Sequence, residues 1–299
     1  MPELPEVVVY LETISPRVLG EPVEEVRIRS PSLLRTYDPP VSALVGRRVM
    51  ELRRVGKRIV FGLEGELYAV IHLMLTGRFR WMDRGAPVPK KVGHGALDFP
   101  GGTLLLVEYG AKKRASLHVV RGEESLAAFA RGGVDPLAAT FEAFEGALMR
   151  ENRTLKRALT DPRIVDGIGN AHSDEILWRA RLSPTQRTRN LGEEELARLR
   201  EAARAELEEW VERRRADAGG AVPGKVTSTH PAMAVHGKYG EPCPRCGDPV
   251  QRIRYAANET NYCATCQTEG KLLSDRALSR LLGEDWPRTL EELEELKAR

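Results

Sequence analysis

Four cysteines, Cys243, Cys246, Cys263 and Cys266, fall in the last quarter of the chain as two C-x-x-C pairs separated by residues 247–262. Thiolates at that spacing can close a tetrahedral site around one ion, each pair presented by a tight turn. Zinc is the expected ion; an iron–sulfur centre or a redox pair are the alternatives the spacing leaves open. Two disulfides of an exported domain fit poorly. The opening MPELPEVVVY has no basic or apolar signal region, and residues 1–242 hold no cysteine, so a cytoplasmic setting is expected. With four thiolates the ion has no open position for water or substrate, so its expected role is to fold the module.

The N-terminus offers a second chemistry. Once Met1 is removed, Pro2 becomes a free secondary amine, and terminal amines titrate near about pH 8, leaving a nucleophilic fraction at neutral pH. Glu3 stands beside it as a candidate acid/base. The plain alternative is a frayed, proline-rich lead-in. A third motif is Gly167-Ile168-Gly169-Asn170, a tight turn ahead of a helix start that can hold a phosphate. Asn170 either caps that helix or bonds the phosphate itself.

These residues need elements to hold them. Strand patterns cover Val26–Ile28, Arg48–Leu52, Arg58–Leu63, Leu67–His72 and Leu104–Glu108. Pro100-Gly101-Gly102 reads as a hairpin turn joining Ala96–Phe99 to Thr103–Val107. The block is an antiparallel sandwich or barrel. From about 122 to 215 the period is helical, with Asn190 and Glu193 as a capping pair and a stripe through Leu196, Leu199, Ala203, Leu207 and Trp210. A loop follows from Ala216 to about His236. The tail carries Ser274 ahead of Leu278, Leu281 and Leu282, and Thr289 with Glu292 as a second capping box. The run Val7-Val8-Val9 disfavours helix, so a helix there must rest on burial. Net charge is only +3, so partner chemistry rests on distribution: Arg53-Arg54, Lys57-Arg58, Lys90-Lys91 and Lys112-Lys113-Arg114 either line a phosphate-binding face or are ordinary solvated charge. No apolar run is long enough for a bilayer.

PELPEV at 2–7, GKRIVF at 56–61, HLMLTGRFR at 72–80, DPRIVDGIGNAHSDEIL at 161–177 and HGKYGEPCPRC…YCATCQ at 236–267 together resemble the formamidopyrimidine-DNA glycosylase and endonuclease VIII family. The resemblance spans nearly the whole chain up to Gln267. It implies a multidomain α+β fold: an N-terminal antiparallel β-sandwich with a catalytic helix (1–121), a helix–two-turn–helix domain with its linker loop (122–236) and a β-hairpin zinc finger (237–272); beyond it, 273–299 reads from its own residues as a helical tail. It implies a monomeric base-excision repair glycosylase with abasic-site lyase activity by β,δ-elimination, acting on double-stranded DNA whose damaged nucleotide is flipped out of the stack. Pro2 matches the family nucleophile, Glu3 its acid/base and Lys57 its hairpin lysine. His72 and Asn170 match phosphate contacts, with Glu6 and Glu175 as supporting hydrogen-bond partners.

Two departures stand out. Of the three side chains with which the family fills the void left by the flipped base, the methionine position aligns with Leu75, which is either a wedge or sandwich core. The loop with Lys112, Lys113 and Arg114 can grip phosphates but holds no aromatic wedge between 110 and 116. Asn258 stands where the family has a phosphate-clamping arginine, and an amide brings neither charge nor fork. These changes favour the alternative of a non-catalytic or lyase-only damaged-DNA-binding protein; Pro2, Glu3, Lys57 and Asn170 favour the enzyme. The tail beyond Gln267 is expected to pack back on the body.

Overall fold

Three consecutive β-branched residues open the first helix, α1 (Leu4–Val18), and burial outweighs their helix penalty. Val7, Tyr10, Ile14 and Val18 lie on one face and are fully buried. The start is fixed by a capping box: the Glu6 carboxylate accepts the Glu3 N–H at 2.7 Å, and Pro5 sits where its missing N–H costs nothing. The computed structural model describes residues 1–224, 229–255, 258–274, 280–283 and 286–298. By contacts the chain divides into two units, Met1–Arg131 with Glu208–Ser228, and Gly132–Leu207 with Thr229–Arg299.

In the first unit eight strands form two antiparallel four-stranded sheets. They are β1 (Glu25–Ile28), β2 (Val49–Val55), β3 (Arg58–Leu63), β4 (Leu67–His72), β5 (Gly77–Met82), β6 (Gly93–Phe99), β7 (Gly102–Glu108) and β8 (Ser116–Arg121). One sheet has the order β1-β6-β7-β5 and the other β2-β3-β4-β8. Their shared core includes Phe61, Ile71, Phe79, Phe99, Leu104 and Leu117, with α1 packed into it. Phe79 meets Tyr10 and Phe61 edge-on, at centroid separations of 5.6 and 6.5 Å. The β6–β7 hairpin turns at Pro100-Gly101, with Phe99 paired to Gly102.

The second unit is helical, with α3 (Phe141–Met149), α4 (Leu155–Thr160), α5 (Asn170–Ala180) and the start of α6 (Glu193–Ala218); the short α2 (Glu123–Ala127) closes the first. The expected stripe of α6 is buried from Leu196 through Trp210. Its cap differs from the expected Asn190–Glu193 pair. Asn190 ends a separate 3-10 turn, and the Gly192 N–H instead bonds the Glu195 carboxylate at 3.1 Å. A two-stranded hairpin, β9 (Gln251–Tyr255) and β10 (Asn258–Tyr262), leads into α7 (Ala264–Thr268). In the tail a helix runs from Leu290 to Ala298, and Thr289 Oγ1 accepts the Glu292 N–H at 3.3 Å. Glu292 bonds the Arg288 N–H rather than that of Thr289. Leu281 is 80% exposed and leaves the expected stripe; Leu278 lies outside the described residues.

Candidate active site and zinc centre

Pro2 and Glu3 are buried at the head of α1, Glu3 to 1% exposure, so this N-terminus is an ordered part of the first unit rather than a frayed lead-in. Glu6 is equally buried and is held from two sides. One carboxylate oxygen takes the Glu3 N–H, and the other accepts from Arg214 Nε of α6 at 2.9 Å. The Tyr10 hydroxyl donates to the Pro223 carbonyl at 3.1 Å, and Arg215 grips both Glu12 carboxylate oxygens. Arg214 and Arg215 have no signature in the local sequence that marks them; their partners lie on α1, about two hundred positions away.

The terminal amine present is that of Met1, which precedes Pro2. Burial pushes it below the usual terminal value; the carboxylates of Glu3 and Glu6 oppose that shift, while Arg78 and Lys57 add to it. Lys57 is half-buried in the two-residue turn between β2 and β3, where Gly56 takes φ 64°. Glu3 and Lys57 therefore both act electrostatically on the amine of Met1, the residue that precedes Pro2. Arg78 joins them. It is 8% exposed, donates to the Gly77 carbonyl at 2.6 Å and has no carboxylate in bonding range among the described residues. The sequence pattern concealed it, because a strand arginine reads as solvent-facing.

His72 ends β4 opposite Arg58. Its Nδ1 accepts the Met74 N–H at 2.9 Å, which leaves the ring proton on Nε2 as a donor. Burial, helped by Arg58 and Lys57, lowers its pKa to about 4, so the ring is neutral at pH 7. Leu75 lies in the following turn and is 52% exposed, which removes it from the sandwich core. That turn is tight: a Cβ on Gly77 would come within 2.2 Å of the Leu73 carbonyl oxygen.

Lys112 and Arg114 are exposed, whereas Lys113 folds inward to donate to the Glu108 carbonyl. The Glu108 carboxylate, 1% exposed, accepts N–H bonds from Arg114 and Ala115 and pairs with His94 Nε2 at 2.8 Å. The loop is thus ordered from beneath. An exposed aromatic, Tyr109, flanks it one residue before the 110–116 window and carries the Arg80 guanidinium over its ring at 5.5 Å.

In the second unit, Gly169 is the N-cap of α5, which has no side-chain cap, so the capping alternative for Asn170 does not hold. The Asn170 amide instead donates to the Glu259 carbonyl of β10 at 3.0 Å. Asn258 is exposed at the first position of β10, paired with Tyr255. Asp174 accepts from Lys156 Nζ at 2.6 Å and pairs with His236 Nδ1 at 2.8 Å. Glu175 takes the N–H groups of Ala234, Val235 and His236, between 2.7 and 2.9 Å, and burial still raises its pKa. Together these bonds pin the approach to the cysteine module.

The Sγ atoms of Cys243, Cys246, Cys263 and Cys266 all lie within 4.8 Å of one another. A tetrahedral ion with bonds of about 2.3 Å needs such a cluster, so the donor set fits zinc. Trp178 Nε1 donates to Cys243 Sγ at 3.3 Å, and the Arg245 guanidinium covers that indole at 4.1 Å.

Three family models match in order: the formamidopyrimidine-DNA glycosylase N-terminal domain over residues 1–109, the H2TH domain of the same enzymes over 133–219, and a zinc finger found in FPG and IleRS over 240–268. The chain is 38% identical over 287 residues to the formamidopyrimidine-DNA glycosylase of Thermus thermophilus, covering 90% of this chain and all of that one. A crystal structure of the MutM (FPG) protein of Thermus thermophilus superposes with TM-score 0.75 at 36% identity, over 89% of this chain and 98% of that one. The Lactococcus lactis FPG, solved with a Fapy-dG containing DNA, superposes with TM-score 0.79 at 25% identity over 89% of this chain and 100% of that one. The chain belongs to the formamidopyrimidine-DNA glycosylase family, and its four cysteines hold one structural zinc.

Proposed function

We propose that this base-excision repair glycosylase acts through Pro2, with Glu3 as acid/base and Lys57 beside them. The observation that carries the reading is the ordered, buried N-terminus: Pro2 and Glu3 are buried, and the Met1 amine just ahead of them is pushed down by burial, with Arg78 and Lys57 adding to the shift. Once Met1 is removed, the Pro2 nitrogen attacks the sugar C1′, the glycosidic bond breaks, and the base leaves with a proton. Glu3 protonates the ring oxygen as the sugar opens to a cationic iminium. The iminium acidifies C2′–H; its loss expels the 3′ phosphate, and a second elimination expels the 5′ phosphate.

His72 through Nε2–H, Asn170, Asn258, Lys112 and Arg114 are assigned to DNA contacts, with Lys113 holding the loop and Leu75 presented to the bases. The functional divisions assigned are 1–121, 122–236, 237–272 and 273–299, and the setting is the nucleoid DNA of a bacterial cytoplasm. Among the described residues no helix is long and apolar enough to cross a membrane.

The test is a panel of duplexes carrying an abasic site, formamidopyrimidine, 8-oxoguanine or an oxidised pyrimidine, with borohydride present. Wild-type protein is expected to give a covalent adduct on the abasic site and on at least one damaged base, and Pro2→Ala none. Adducts on the abasic site alone indicate a lyase without base recognition. Tight binding without any adduct indicates a damage-binding protein.

A further inference from the structure

Arg214 lies outside every motif that suggested the function, yet it is the far end of a buried chain of contacts leading to the N-terminus. Its guanidinium is 9% exposed and donates through Nε to Glu6 Oε1 at 2.9 Å. The other Glu6 oxygen takes the Glu3 N–H at 2.7 Å. Trp210 lies under the guanidinium at 5.2 Å, and Asp217 approaches Nη1 at 3.4 Å. The two bonds to Glu6 are directional and join groups with almost no access to water, whereas Asp217 is exposed, so little side-chain freedom remains around Glu6 to absorb the loss of its guanidinium partner.

We propose that Arg214 is a positioning residue for the terminal amine, acting through Glu6. This rests on the reading of Pro2 as the nucleophile, and it assigns two tasks. The first is geometric. A carboxylate shared between Arg214 and the Glu3 N–H fixes the peptide that follows Pro2, and with it the direction of the amine. The second is electrostatic. The Met1 amine, one residue ahead of the prolyl nitrogen, is faced by Glu3 and Glu6 from the head of α1, by Arg78 from β5 and by Lys57 from the β2–β3 turn. Glu6 is itself faced by Arg214 from α6 and by Arg78 and Tyr10. A buried carboxylate without its guanidinium attracts the ammonium form of the nearby amine; paired, it leaves the amine unprotonated and nucleophilic.

The experiment titrates the full, zinc-loaded chain with Met1 removed, reading the 15N shift of the prolyl amine, which needs no substrate. Arg214→Gln is expected to raise the amine midpoint by about one pH unit, the displacement of a nearby uncompensated charge. Glu6→Gln is expected to lower it, and Glu6→Gln/Arg214→Gln to bring it back to or below the wild-type value. Arg214→Lys keeps the charge and is expected to keep the midpoint. Borohydride trapping rates on an abasic duplex should follow the same order across pH.

An Arg214→Gln midpoint equal to wild type overturns the proposal, as does a raised midpoint that the second substitution fails to reverse. If Arg214→Gln does not fold, the decision passes to Glu6→Gln, whose midpoint must fall. A wild-type chain that titrates as described but gives no adduct leaves this coupling standing and instead removes the assignment of Pro2 as nucleophile.

Discussion

At the scale of single residues, His72 combines two roles that conflict in acid. Its neutral ring accepts the Met74 N–H through Nδ1 and carries its proton on Nε2, the atom assigned to DNA contact. The folded pKa of about 4 lies below the ordinary 6.5, so the native state binds fewer protons between those values. The stability this contributes is complete above pH 6.5 and is lost as pH falls towards 4, with a ceiling of roughly 3 kcal/mol. Urea midpoints measured from pH 7 to 4.5 should fall for the wild type and fall less for His72→Gln. Parallel slopes would place the acid sensitivity elsewhere. Asn258 supports a separate expectation. Exposed at the start of β10, it contributes no charge, so Asn258→Arg should steepen the salt dependence of DNA binding by about 0.9 of a logarithmic unit. A slope equal to wild type would move the hairpin tip away from the phosphates.

At the scale of elements, α1 shows packing overriding propensity. Val7→Ala gains about 0.5 kcal/mol of helix propensity but removes fully buried methyls worth about 2 kcal/mol. A net loss near 1.5 kcal/mol is expected in urea unfolding; a more stable variant would mean that α1 does not depend on its buried face. The same competition decides what could be read in advance. β3 and β4 run Arg58–Leu63 and Leu67–His72, as their apolar runs specify, because both strands are buried along their length. β5 is not legible in the sequence because Arg78 is turned inward beside Phe79, so its pattern does not alternate. The start of α6 differs from the sequence pattern for a local reason. Several residues ahead of Glu193 could cap a helix, and the Gly192 backbone, which has no side chain to announce it, takes that position.

At the scale of the whole molecule, the zinc centre was legible because four identical ligands at fixed spacing carry the information themselves. Arg214 and Glu6 illustrate the opposite case. Glu6 lies in a recognisable motif but Arg214 is an ordinary charged residue until the fold buries the two together, and nothing near either position in sequence points to the other. The zinc site also supports an expectation about folding. Trp178 donates to Cys243 and lies under Arg245, so removing the ion should loosen the finger and alter tryptophan emission. DNA affinity should be lost under the same chelator treatment and return on adding zinc. Unchanged affinity in verified metal-free protein would separate the finger from DNA binding.

The central claim is that the chemistry belongs to the Pro2 nitrogen. It is tested most directly by reducing the complex of zinc-loaded protein with an abasic duplex, digesting it, and locating the sugar by peptide mass spectrometry. The expected result is a single adduct on an N-terminal peptide that begins at Pro2, with Met1 gone. An adduct on Lys57 or another lysine, with Pro2 unmodified, would contradict it.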